Sequence, residues 1–162
     1  MTTTTPTFIT SEGLLKHWQG HQRLTRRVLE AFPEDKVFTF TPASPMRPFS
    51  ALVLEITGMV APTLAGLITG HWEQPDWEAA KKEQPTKAEL LAHWDRTAET
   101  LQEAFPKIPE ASFHETHTAF GQWKMAGSEL ISYLIDNEIH HRAQGYVYLR
   151  LLGVEPPPFY ER

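Results

Sequence analysis

The 162-residue sequence predicts an all-α fold, a four-helix bundle with a long crossover between its second and third helices. Three observations predict it. Four stretches repeat apolar residues at steps of three and four, the period of a helix with one buried face. Proline or glycine closes each stretch. The link 70–85, Gly-His-Trp-Glu-Gln-Pro-Asp-Trp through Gln-Pro, is too long for a simple hairpin. It suits a crossover that returns the chain to its starting end and leaves the flanking helices parallel.

The elements follow in order. Residues 1–10 are threonine-rich and read as a flexible leader, with 11–162 forming one domain. From Ser11 to Phe32, the residues Leu14, Trp18, His21, Thr25, Val28 and Phe32 define one face of a helix ended by Pro33. A loop with Pro42, Pro45 and Pro48 follows, in which 37–40 reads as a short extended piece. The second helix spans Phe49 to Thr69 with Leu52, Ile56, Met59 and Val60 inward, and Pro62 is expected to kink it. Thr86 and Glu89 form a capping-box signature before a third helix, which carries Leu90, Trp94, Thr97, Leu101 and Phe105 inward and ends at Pro106. Residues 107–125 read as irregular, with Phe113, Phe120 and Trp123 as plugs and with His114 and His117 on the surface. The fourth helix, about Ser128 to Leu152, stops at Gly153 and the run Pro156-Pro157-Pro158. Trp72, Trp77, Phe159 and Tyr160 lie outside the four helices, as core caps or as a dimer seam.

Composition narrows the function classes. A net charge of −5 leaves no basic face for phosphates, so a nucleic-acid partner is not expected. The chain has no cysteine, which excludes disulfides, thiolate metal sites and a cysteine nucleophile. The opening residues lack the basic and apolar regions of a signal peptide. No membrane span is expected either, and a cytoplasmic protein is the default.

The most informative stretch is Asn137-Glu138-Ile139-His140-His141-Arg142-Ala143-Gln144, inside the fourth helix. At about 100° per residue, His141 joins Leu130, Leu134, Gly145, Tyr148 and Leu152 on one stripe, whereas His140 points well away. Asn137 and Glu138 flank the stripe. Polar groups on a buried face must be partnered, to each other or to an ion. Asn137 and His141 stand one turn apart, as two ligands of one metal ion on a helix would. A local hydrogen-bond network satisfies the same pattern. Glu55 flanks the inward stripe of the second helix and His21 centres that of the first. In a crossover bundle His21, Glu55, Asn137 and His141 are aimed at one interior point.

The segment 137–157, Asn-Glu-Ile-His-His-Arg-Ala-Gln-Gly-Tyr-Val-Tyr-Leu-Arg-Leu-Leu-Gly-Val-Glu-Pro-Pro, resembles the C-terminal signature of the DinB/YfiT-like family of bacterial four-helix bundles. That signature runs His-x-x-x-His-Arg-Gly-Gln, then Tyr-Leu-Arg, then Gly and Pro-Pro. The segment 46–56 resembles the start of the family's second helix, where a histidine supplies the first metal ligand. The resemblance implies a site of three histidines holding nickel or zinc. Here it places Glu55, Asn137 and His141 at the ligand positions, and Ala143 replaces the glycine. One imidazole with a carboxylate and an amide is a harder, weaker donor set, better suited to Mg²⁺, Mn²⁺, Ca²⁺ or Fe²⁺ unless His21 completes it.

Two functional readings follow. The first is a divalent-metal-dependent, thiol-linked transferase or hydrolase with an altered site on Glu55, Asn137 and His141. Its partner is a small-molecule substrate or thiol, and Glu138 or His21 serves as proton acceptor or orienter. The second is a non-catalytic bundle that binds a small molecule or acts as a stress-associated partner. A homodimer fits either.

Overall fold

The computed structural model describes residues 8–75 and 86–162. Four long helices carry it: α1 (Ser11–Ala31), α3 (Phe49–Thr69), α4 (Lys87–Ala104) and α6 (Gly127–Leu151). Two short helices, α2 (Lys36–Thr39) and α5 (Glu110–His114), and a two-stranded hairpin, β1 (Thr116–Ala119) and β2 (Trp123–Ala126), fill the connections. The expected leader lies outside the described residues at 1–7, and its last residue, Thr10, caps α1 by accepting from the Gly13 amide at 3.0 Å.

Side-chain contacts at the helix ends fix the topology. Phe32, just past α1, stacks on Phe49, the first residue of α3, with ring centroids 4.6 Å apart. Lys87, the first residue of α4, donates to the carbonyls of Glu30 and Phe32 at 2.7 Å each. Tyr148, late in α6, donates to the Arg47 carbonyl at 3.0 Å, immediately before α3. Thus α3 and α4 both begin where α1 and α6 end. They run parallel to each other and antiparallel to α1 and α6, as the long link predicted, although 76–85, including Trp77, lie outside the described residues.

The core has two ends. Trp18, Leu64, Leu101, Phe105 and Leu134 fill one, while Phe32, Phe49, Trp94 and Tyr148 fill the other. Thr86 accepts from the Glu89 amide at 3.2 Å and Glu89 returns the bond at 3.0 Å, the predicted capping box. Gly153, at φ 74°, lets the chain leave α6 in a left-handed turn closed by Val154 N to Leu149 O at 2.9 Å.

Four local expectations are corrected. Residues 36–39 form a helical turn rather than an extended piece, because Val37 buries completely against the Phe49 end of the core. Residues 116–126 form the hairpin, with Thr116 opposite Ala126 and Ala119 opposite Trp123. Its turn holds Phe120 and Gly121 at φ 54° and 70°, and a buried Phe120 anchors it. Phe113 also plugs the core, but Trp123 is 48% exposed. His117 is half-buried rather than on the surface: its Nε2 donates to the Ser112 carbonyl at 2.8 Å, and its ring meets Trp72 edge-on. Trp72 is a cap on the bundle, lying over Gly66 and against Phe120.

Among the described residues one helix, α3, is by length and composition apolar enough to cross a membrane, with mean hydropathy 1.8 over its best window. It packs between α4 and α6 and carries the buried hydroxyls of Thr57 and Thr63, so it reads as the core helix of the bundle.

Candidate polar site on helix α6

The predicted helix face is correct: His141 is 5% exposed, and His140 lies outside with its Nε2 3.0 Å from Gln144. Glu138 and Arg142 are also buried on α6. These three residues meet two different neighbours. His141 turns to α3, whereas Glu138 and Arg142 turn to α1.

On the α3 side, His141 Nε2 lies 2.8 Å from Glu55 Oε1, and Arg47 Nη1 lies 2.6 Å from Glu55 Oε2. Both carboxylate oxygens are therefore engaged. Burial pulls the Glu55 carboxyl upward, but the hydrogen bonds from His141 and Arg47 outweigh it and hold the group below its ordinary value. Because a carboxylate oxygen accepts, the proton of His141 sits on Nε2. The other nitrogen, Nδ1, is buried and has no hydrogen-bond partner among the described residues. As a lone pair it is an unmade acceptor, which costs less than a buried unpaired N–H. Arg47 and Glu55 keep half and about a third of their side chains in solvent (50% and 29%), so the pair opens to the surface.

On the α1 side, Glu138 is fully buried. The Trp18 indole N–H donates to its Oε2 at 3.1 Å and the Thr25 hydroxyl to its Oε1 at 2.5 Å. Arg142 Nη1 donates to Thr25 Oγ1 at 3.1 Å and stays 3.8 Å from the carboxylate. Burial pushes the Glu138 carboxyl up to about 7 despite those donors. Arg142 Nη2 reaches His21 Nδ1 at 3.0 Å. A guanidinium only donates, so Nδ1 accepts, while the other nitrogen, Nε2, lies 3.2 Å from His17 Nε2 and 3.3 Å from Arg162 Nη1. Burial first, then the charges of Arg142 and Arg162, bring His21 down to about 4.

This corrects the single interior point. Glu55 and His141 meet. His21 does not join them; it belongs to the Arg142 cluster on the opposite side of α6. Asn137 is half-buried one turn before His141, and its side-chain amide makes no hydrogen bond to another described residue. Sequence reasoning missed Trp18, Thr25, Arg142 and Arg47 as partners. The spacing of Trp18, His21 and Thr25 on one helix, and of Glu138 and Arg142 on another, was the available signal for the first three. Arg47 comes from a loop and leaves none.

The three-imidazole metal centre that the resemblance implies does not fit these residues. Only His141 offers an imidazole, and its Nε2 proton is committed to Glu55. The carboxylate already carries a guanidinium on its second oxygen, a fixed positive charge where a cation would have to bind. The His141 Nδ1 lacks the acceptor that normally orients a metal-binding histidine. Among the described residues no three His, Asp or Glu side chains gather in ligand geometry.

Comparison with known proteins gives a consistent family picture. The sequence profile described as the DinB family matches residues 1–162. The uncharacterized protein YjoA of Bacillus subtilis (strain 168) is 23% identical over 154 residues, covering 94% of this chain and 97% of that protein. The crystal structure of the same B. subtilis DinB-like protein superposes with a TM-score of 0.73 at 21% identity, over 92% of this chain and 97% of that one. A DinB-like protein from Bacillus cereus ATCC 10987 superposes at 0.74 and 18% identity, over 95% and 100%. A variant of a mycothiol-dependent maleylpyruvate isomerase superposes at 0.65 and 14% identity, over 86% of this chain and 62% of that one. At these identities the superpositions show the fold.

Proposed function

This chain belongs to the DinB family, and from that premise we propose that it is a small-molecule-binding bundle whose α3–α6 site, Arg47–Glu55–His141, works without a three-histidine metal centre. The observation that carries this reading is the complete engagement of Glu55: His141 on one oxygen at 2.8 Å, Arg47 on the other at 2.6 Å. The half-exposed guanidinium and the carboxylate edge present a donor and an acceptor side by side to solvent. A polar ligand exchanges hydrogen bonds with both, while the buried imidazole holds the carboxylate in place.

Metal analysis of protein purified without an affinity tag and without added metal tests the reading. The expected content is well below one divalent ion per chain. One tightly held ion per chain, lost on Glu55→Gln and His141→Gln, overturns it.

A second reading has one observation behind it. The fold likeness to a mycothiol-dependent isomerase supports a thiol-linked, metal-dependent transferase, in which Glu55, Asn137 and His141 supply the donors. The same metal analysis decides between the two.

A further inference from the structure

A cleft lies on the outer side of α6, away from the Arg47–Glu55–His141 site. It has a volume of about 680 Å³. One wall is α6, from Arg142 and Ala143 through Tyr146 and Val147 to Arg150; the other is the segment 155–160. Arg47, Glu55 and His141 do not line it.

The outer wall is held in place from two sides. The Tyr146 hydroxyl donates to the Pro157 carbonyl at 2.8 Å, and Arg27 Nη1 donates to the Glu161 carbonyl at 2.8 Å. Prolines 156–158 stiffen it further. The walls are therefore a preformed slot with an apolar, aromatic lining and few polar groups, the usual character of a small-molecule site.

Those polar groups are cationic. Arg142 has 8% of its side chain exposed, and its Nη1 and Nη2 are bound to His21 and Thr25. Its Nε–H makes no hydrogen bond to another described residue, and the side chain lines the cleft. Glu138 stays 3.8 Å from this guanidinium and spends its oxygens on Trp18 and Thr25. A buried guanidinium without a hydrogen-bonded carboxylate is an undercompensated charge, which an anion in the cleft would balance. At the rim, Arg150 lies over the Tyr146 ring, 5.7 Å from its centroid, and adds a second positive charge. Glu155, exposed on the opposite wall, forms no ion pair among the described residues and disfavours a second negative group on a ligand.

We infer that this cleft is a binding site for a small organic monoanion, an aromatic carboxylate. Its carboxylate meets Arg142 Nε and Arg150, and its ring lies against Tyr146 and the proline wall. An aromatic ring supplies stacking surface at little entropic cost, and the carboxylate supplies charge-assisted hydrogen bonds.

Benzoate and benzamide are the probes, since they share a shape and differ in charge. Each is titrated into isotope-labelled wild-type protein at fixed ionic strength and followed by amide chemical shifts. Benzoate should give saturable shifts on residues 139–150 and 155–160, binding about tenfold more tightly than benzamide, the factor expected from one charge-assisted contact. Arg150→Ala should weaken benzoate several-fold and leave benzamide unchanged. Ala143 is exposed, so Ala143→Trp fills the slot without entering the Arg142 network and should abolish both. Absence of saturable benzoate shifts, equal affinity for the two probes, or unaltered binding in the Ala143→Trp protein overturns the assignment. None of these outcomes touches the α3–α6 site.

Discussion

His141 Nε2 lies 2.8 Å from Glu55 Oε1 across the α3–α6 interface, while Nδ1 of the same ring is buried and unpartnered among the described residues. The imidazole thus depends on a single carboxylate for its polar satisfaction. Glu55→Ala should leave Nε2–H unpaired in a side chain only 6% exposed, at a cost of about 1–3 kcal/mol. Arg47→Ala should cost less than about 1 kcal/mol, because that guanidinium is half in solvent and a surface pair contributes little. Urea unfolding of the two variants measures the contrast.

The α1–α6 cluster predicts opposing pH effects. Glu138 is raised from 4.5 to about 7 in the fold, so the native state binds a proton there that the unfolded chain has lost. Stability from this group falls as pH rises through that window. His21 is lowered from 6.5 to about 4, so the unfolded chain binds the extra proton and stability rises with pH over that range. The two slopes, each about 1.4 kcal/mol per pH unit for one proton, largely cancel between about 4.5 and 6.5. Glu138→Gln should unmask a stability that increases with pH, and His21→Gln one that decreases. Denaturant midpoints at a series of pH values test both signs.

Gly145 sets how closely α6 approaches α3 one turn beyond His141. A Cβ there would come within 2.5 Å of Phe49 Cε2, a fully buried ring stacked on Phe32. Gly145→Ala should therefore destabilise by about 1–3 kcal/mol, despite the better helix propensity of alanine. Thermal unfolding of the single variant gives the value.

Restoring imidazoles tests whether Glu55 and Asn137 occupy ligand positions. Glu55→His with Asn137→His removes the carboxylate that holds Arg47 and offers three ring nitrogens with His141. Zn²⁺ or Ni²⁺ should then stabilise the double variant by about 2.7 kcal/mol at a hundredfold excess over its dissociation constant. The parent protein should show no comparable shift. A folded double variant without a metal-dependent shift would mean that the three positions do not converge.

Much of the fold was legible in the sequence, and the physical reason is local. Helical period fixes the direction of each side chain within its own helix, so His141 in and His140 out followed from spacing alone. Caps and breakers fixed the ends, as Thr86 with Glu89 and Gly153 show. The length of the link 70–85 fixed the parallel pairing of α3 and α4.

Which helix each buried polar group meets was decided by tertiary structure. His141 and Arg142 are neighbours in sequence, about 100° apart around the axis, and that rotation sends one to α3 and the other to α1. His21 shares an inward stripe with Trp18 and Thr25, but only the packing of α1 against α6 gives it to Arg142 rather than to Glu55 and His141. Arg47 reaches Glu55 from a loop with no period to read, and the 116–126 hairpin forms because Ala119 and Phe120 find a place in the core. Direction within an element is a property of the chain; the partner it meets depends on the rotation and packing of another element, which the chain's local pattern does not encode.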